Sequence, residues 1–277
     1  MVSVSALART ARAYAASSVR IARRGGLRPL GREERLVFVV GSPRSGTTFT
    51  GRALGSQHGF VDLDEVTPLK AALPRLAASS PEQAGPQLRR IVERVRTLGL
   101  VRGLRGVEQT PETSFVLRAA LGAYPQAIAV HVIRDGRDVV CSLLERGWLR
   151  SDRGGGDDAR QAYGAHARFW VEPERRVEFE RASEARRAAW AWRRYVTAAQ
   201  CVPERTVELR YEALVENPHA EADRIAAALG AEAEPLRRAF AEVHGSSVGR
   251  WRRDMTAEQI AEVEAEAGGL LAQLGYA

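Results

Sequence analysis

Residues 36–48 read Leu-Val-Phe-Val-Val-Gly-Ser-Pro-Arg-Ser-Gly-Thr-Thr. An unbroken apolar run rich in β-branched residues describes a strand covered on both faces, and strands of that kind belong to parallel sheets flanked by helices. The small-residue turn leads into a helix expected from Thr47 to about Ser56, so the unit is strand, loop, helix. Residues 127–133 (AIAVHVI) and 206–211 (TVELRY) supply two more strands. Between them, residues 68–100 read as helical with punctuation at Pro74, Pro81, Pro86 and Gly99. Residues 114–122 form an amphipathic helix before Tyr124-Pro125, and residues 137–146 a helix stopped by Gly147. Another helix starts near Pro218 and ends at Gly230, and the C-terminal helical segment is interrupted at Gly268-Gly269. No repeat and no Pro/Ser linker divides this alternation. It predicts one α/β domain, residues 35–277, with a mainly parallel central sheet flanked by helices.

Charge separates the first 34 residues from the rest. The formal net charge is +7, and residues 1–32 hold seven Arg and no acid, which leaves residues 33–277 neutral. A balanced globule argues against a nucleic-acid partner. The leader, rich in Ala, Ser and Arg, resembles a transit peptide or an amphipathic surface helix that makes peripheral membrane contact, with a loosely packed helix as the plainer alternative. No apolar run reaches the roughly 18 residues of a membrane span. Cys141 and Cys201 are too few for a disulfide framework and wrongly spaced for zinc, so a reducing, cytoplasmic location and no bound metal are expected. Lys70 is the only lysine, a consequence of the Arg-rich composition.

The loop Gly41-Ser42-Pro43-Arg44-Ser45-Gly46-Thr47-Thr48 carries the first chemistry. A helix N-terminus behind a small-residue turn aims backbone N–H groups, and the positive end of the helix dipole, at one anion. Gly41 and Gly46 keep Walker A spacing, but position 47, where a nucleotide triphosphatase needs Lys, is Thr. The cation lies inside the loop instead, at Arg44, whose planar fork matches two oxygens of a phosphate or sulfate.

Arg134-Asp135-Gly136-Arg137-Asp138 follows the second strand and opens the next helix. Asp138 and Ser142, four residues apart, share a helical face, and Arg134 at the strand's end converges with Ser142 on a second anion, with Asp138 as a cap or as the carboxylate that orients an Arg. These two segments together resemble the sulfotransferases that use 3′-phosphoadenosine-5′-phosphosulfate (PAPS). GSPRSGTT is similar to that family's 5′-phosphosulfate loop, and the run from Arg134 to Ser142 to its 3′-phosphate motif. LRYEALVENP (209–218) and SSVGRWRRDM (246–255) resemble its later strand and its C-terminal nucleotide segment. The resemblance implies a P-loop-like fold, PAPS as sulfate donor with the bisphosphate PAP as product, and no metal.

Carried over residue by residue, the resemblance assigns Arg44, Ser45, Gly46, Thr47 and Thr48 to the 5′-phosphosulfate, and Arg134 and Ser142 to the 3′-phosphate. Phe49 either lies against adenine or packs as a first-turn core residue. Tyr211 borders the base, and Ser247, Gly249 and Arg250 belong to the C-terminal segment, where Trp251 packs it down. Sulfuryl transfer resembles phosphoryl transfer, an in-line displacement governed by positioning and charge, with Arg44 at the sulfuryl oxygens. The general base is Glu65, in the stretch where several members carry a catalytic Glu. Glu108 is second, and His58 is the histidine best placed near an acceptor, ahead of His166 and of His131, expected to be a satisfied core residue. Relatives often carry Lys where Gln109 stands, which removes a cation from the leaving group.

Four Trp (Trp148, Trp170, Trp190, Trp192) fall between residues 148 and 192, next to the Gly-rich loop at 151–158, and residues 147–195 are expected to close over the acceptor, although Trp190 and Trp192 fit a core-packing helix. Carbohydrate, lipid-linked and other small-molecule acceptors remain open, as does oligomeric state. The alternatives are a nucleotide kinase, against which Thr47 argues, and a module that senses adenosine bisphosphate without catalysis.

Overall fold

The computed structural model describes residues 4–24, 26–150 and 168–276. Five parallel strands form the sheet: β1 (Val37–Val40), β2 (Phe60–Asp64), β3 (Arg105–Glu108), β4 (Ile128–Ile133) and β5 (Thr206–Arg210), in the order β2-β3-β1-β4-β5. The helices are α1 (Val4–Arg24), α2 (Thr47–Gly55), α3 (Thr67–Ala77), α4 (Pro81–Leu98), α5 (Leu117–Ala123), α6 (Gly136–Arg146), α7 (Arg176–Arg181), α8 (Glu184–Ala199), α9 (Tyr211–Glu216), α10 (Pro218–Leu229), α11 (Ala233–Phe240), α12 (Trp251–Asp254) and α13 (Ala257–Gln273). The α/β architecture read from the sequence is the one observed. Its strands are parallel throughout the described sheet.

The unbroken apolar run of β1 is explained by its place at the sheet centre. Successive side chains point to opposite faces. Val37 and Val39 pack with Val107, Val130 and Val132 against α2, α10 and α11, whereas Phe38 and Val40 pack against α3, α4 and α5. Each such side chain, fully buried, contributes about 1.5–3 kcal/mol. A third cluster joins α6, α8 and α13 around Trp190 and Trp192, both without solvent exposure.

Two expectations are corrected. Helix α13 runs unbroken through Gly268-Gly269. Each glycine costs a helix about 1 kcal/mol, but Val263, Ala267 and Leu271 seat α13 on the third cluster and tertiary packing prevails. The leader helix is also docked rather than loose. Ile21 is buried, Ser18 Oγ donates to the Val95 carbonyl at 3.3 Å, and Arg24 pairs with Asp62 at 2.5 Å and Asp64 at 3.2 Å. Helix α1 thereby covers the edge strand β2, which would otherwise present unpaired backbone.

Order along the sheet reverses at β1. The chain leaves it toward β2 on one side and β4 toward β5 on the other, so the carboxyl ends of β1 and β4 border the crevice where open α/β sheets bind ligands.

Candidate active site

The loop after β1 has a backbone that requires glycine at two positions. Gly41 (φ 141°) and Gly46 (φ 101°) lie in the left-handed region. A Cβ at Gly41 would sit 2.4 Å from the Val132 carbonyl, and one at Gly46 would strike the Tyr211 ring at 2.7 Å. Arg44 also has positive φ, 72°, a conformation that costs a side-chain-bearing residue about 1–3 kcal/mol. Gly46 leads directly into the first turn of α2, whose N–H groups have no acceptor within the helix.

Arg44 and Arg134 meet here. The Arg44 side chain donates through Nε to Ser142 Oγ on α6 at 2.9 Å, and Arg134 donates through Nη1 to the Arg44 carbonyl at 3.3 Å. The Arg134 guanidinium lies 4.9 Å from the centre of the Tyr211 ring, and Tyr211 is fixed in turn by its hydroxyl donating to the His244 carbonyl at 2.9 Å. Arg134 also donates to the Ser247 carbonyl. Asp138 accepts from the N–H of Gly249 at 2.7 Å and of Trp251 at 3.1 Å, with Arg134 at 3.8 Å. Asp138 is thus the carboxylate that orients Arg134, while Asp135 caps α6 by accepting from the Arg137 N–H at 2.9 Å. Arg250 turns outward to Glu145 and Asp254, so of the C-terminal segment it is the backbone of Ser247 and Gly249 that reaches the site. Ser45 Oγ, Thr50 Oγ1 and Arg134 Nε are buried polar atoms with no hydrogen-bond partner. Unpartnered buried polar atoms in the loop (Ser45), in the helix behind it (Thr50) and at the end of β4 (Arg134) fit an anionic ligand at the helix N-terminus.

Glu65 follows β2, and its Oε2 stands 2.5 Å from Lys70 Nζ. Lys70 is nearly enclosed, with a second carboxylate, Glu112, at 3.8 Å. The turn at 111–116 joins this corner to the loop. Thr110 Oγ1 accepts from the Val66 N–H at 3.2 Å, and Ser114 Oγ accepts from the Gly41 N–H at 3.2 Å. Sequence reasoning missed Ser114, Glu112 and Lys70 as parts of one corner. The solitary lysine was the available signal, misread as composition.

Three sequence assignments change. Glu108 is fully buried and accepts from the Thr110 N–H and the Thr113 hydroxyl, both at 2.9 Å. Burial pushes its carboxyl up to about 7, against those hydrogen bonds. It braces the turn and, among the described residues, is closed off from solvent, which does not suit a base that must meet an acceptor hydroxyl. His58 is exposed at the amino end of β2, roughly 13 Å below the loop across the nine residues of α2. It stands at the wrong end of the sheet for a base. His131 is buried as expected, but its Nε2 has no partner, and burial alone holds the imidazole down to about 3.

Gln109 is held beside β2, its Nε2 donating to Asp64 at 3.1 Å and Asp62 at 3.4 Å. Phe49 packs on Phe240 of α11, ring centres 6.1 Å apart. Thr48 is exposed at the loop mouth, whereas Thr47 is buried. Trp190 and Trp192 are core residues whose indole N–H groups donate to Glu172 at 2.6 Å and to the Arg134 carbonyl at 3.1 Å. Trp148 alone of the four borders the loop, 5.9 Å from the Arg44 guanidinium. His166 and the loop at 151–158 lie outside the described residues. Among the described residues, no His, Cys, Asp and Glu cluster could hold a metal ion, and no helix is long and apolar enough to cross a membrane.

Residues 89–235, just over half of the chain, match the sulfotransferase family. The chain belongs to that family. The match spans Arg134, Ser142 and Tyr211 of this sulfotransferase and begins after its glycine loop. A search of curated proteins finds no match. Among solved structures, the chain is similar to the sulfotransferase domain from the curacin biosynthetic pathway, with TM-score 0.57, 13% identity, and coverage of 87% of this chain and 98% of that one. Sulfotransferase STF9 from Mycobacterium avium gives TM-score 0.55 at 13% identity, covering 98% and 85%. The sulfotransferase domain from the Synechococcus PCC 7002 olefin synthase gives 0.51 at 16%, covering 86% and 96%. At these identities the likeness establishes the fold.

Proposed function

We propose that this sulfotransferase transfers a sulfuryl group from PAPS to an acceptor hydroxyl or amine, with Glu65 as general base. The carrying observation is that Arg44 is bonded to both Ser142, through its side chain, and Arg134, through its carbonyl, which brings the two anion-binding segments together. Two anion-binding elements brought together at the crevice suit a nucleotide that carries phosphate at both its 3′ and 5′ positions. The donor supplies an activated sulfate whose leaving group is a phosphate. The loop N–H groups and Arg44 would hold the 5′ end, Arg134 and Ser142 the 3′-phosphate, and Tyr211 would border the base. Charge that develops on the transferring group would be met by Arg44, and a charge-assisted contact is worth about 1.5–3 kcal/mol before any strengthening in the transition state.

Glu65 suits the acceptor's proton because it is one-third exposed at the carboxyl end of β2, where Glu108 is sealed off. The acceptor, a carbohydrate, lipid-linked or other small molecule that carries a hydroxyl or amine, would approach between Glu65 and Trp148. Thermal melting tests the reading. At about 100 times its Kd, adenosine 3′,5′-bisphosphate should stabilise the fold by about 2.7 kcal/mol, and ATP with magnesium should not. The reverse preference would indicate a kinase. Transfer of labelled sulfate from PAPS onto an acceptor library then separates an enzyme from a nucleotide sensor.

A further inference from the structure

Seven large hydrophobic side chains are exposed among the described residues, and five of them are gathered at one place: Val19, Leu27, Leu30, Leu98 and Leu100. They belong to α1, to the strap after it, and to the turn that ends α4. Hydrogen bonds hold these segments side by side. Ser18 Oγ donates to the Val95 carbonyl at 3.3 Å, the Arg28 N–H to the Leu100 carbonyl at 2.8 Å, and the Gly103 N–H to the Arg28 carbonyl at 3.0 Å. Leu30 is 87% exposed. The outward face of α1 carries Arg12, Ala15, Ala16, Val19 and Arg23 at helical spacing, and Arg28 is exposed beside Leu27. Residues 1–32 contain no acid, and the first ones beyond, Glu33 and Glu34, are paired with Arg35, Arg32 and Arg89.

We propose that α1, the strap at 26–32 and the turn at 98–103 form one surface that docks on an anionic lipid bilayer. The pattern of residues selects this occupant. Nucleic acid would engage the arginines and leave the leucines in water. A protein partner would be expected to meet an apolar centre depleted of charge, whereas here single leucines stand among guanidiniums. That interleaving suits a bilayer surface, where apolar side chains sink below the headgroups while arginines remain at the phosphates. The surface adjoins the proposed active site, because Arg20 on α1 donates to the Glu65 carbonyl at 3.5 Å. It is nonetheless independent of the transfer reading, and its test reads sedimentation rather than turnover.

The full chain should co-sediment with phosphatidylcholine vesicles that contain phosphatidylserine, and weakly with phosphatidylcholine alone. Raising salt from about 0.1 M to about 1 M, which shortens the screening length from about 10 Å to about 3 Å, should weaken binding on the order of tenfold. The combined variant Leu27→Ser, Leu30→Ser, Leu98→Ser, Leu100→Ser should lose binding by about tenfold or more with an unchanged melting temperature. Should it fold poorly, Arg12→Gln, Arg23→Gln, Arg28→Gln must lose binding instead. Equal binding to neutral vesicles, or retained binding by these variants, would overturn the proposal. So would a dimer of the full chain that the leucine variant dissolves, because the patch would then be a protein interface.

Discussion

Lys70, the only lysine in the chain, places its ammonium 2.5 Å from Glu65 Oε2 and 3.8 Å from Glu112 Oε1 while remaining almost wholly out of solvent. A buried ammonium is tolerated only with carboxylate partners, so the lysine fixes where Glu65 points. Glu65→Gln should therefore lower turnover by about 10²-fold or more and leave the affinity for adenosine 3′,5′-bisphosphate unchanged. Unaltered turnover would dispose of Glu65 as the base.

Lys70→Met leaves two carboxylates facing each other across an apolar stem. Breaking an enclosed pair costs about 3–5 kcal/mol, and the one-third exposure of Glu65 reduces that to roughly 1–3 kcal/mol. A double-mutant cycle with Glu65→Gln should return a coupling of about 0.5–3 kcal/mol in denaturant unfolding. Additive single effects would mean that the two side chains do not act as a pair.

How much of this was legible in the sequence depended on range. β1 and β4 were read correctly because a strand covered on both faces needs only apolar residues, and the glycine loop because strand, turn and helix are contiguous. β2 and β3 were missed. Phe-Val-Asp-Leu-Asp and Arg-Gly-Val-Glu bury charges whose partners are distant: Arg105 donates to the Leu229 carbonyl at 2.5 Å, and Asp62 meets Arg24 of α1. The same limit hid Ser114, which reaches Gly41 only because a turn 73 residues away folds back beneath the loop.

In the proposed nucleotide site, Arg134 and Ser142 would contribute unequally. Arg134→Ala removes the guanidinium over Tyr211 and its bonds to the Arg44 and Ser247 carbonyls. It should abolish the melting shift given by adenosine 3′,5′-bisphosphate, and a retained shift would refute the assignment. Ser142→Ala deletes one hydroxyl, worth about 0.5–1.5 kcal/mol, and should weaken binding by about threefold to tenfold in calorimetry.

Asp138 connects α6 to the C-terminal segment through the N–H groups of Gly249 and Trp251. Asp138→Ala should free residues 246–254 from α6. Limited proteolysis should then cut near Arg250–Arg253 at bisphosphate concentrations that protect the parent protein, with weakened binding because Arg134 loses its orienting carboxylate. Equal protection in both proteins would show that the segment is held by other contacts.

The buried Glu108 makes stability depend on pH in an unusual direction. Its carboxyl titrates near 4.5 when unexceptional and at about 7 in the folded chain, chiefly because burial penalises the charged form. Between those values the folded state binds the extra proton, so stability is fully present below about 4.5 and is lost as pH rises through about 7, by about 3 kcal/mol in all. Glu108→Gln keeps an acceptor for the Thr110 N–H and can donate to the Thr113 hydroxyl, but it has no proton to lose. Denaturant midpoints from about pH 5 to about pH 8 should fall for the parent and stay flatter for Glu108→Gln, which becomes the more stable of the two at the upper end. Parallel curves would show that this carboxyl does not carry the dependence.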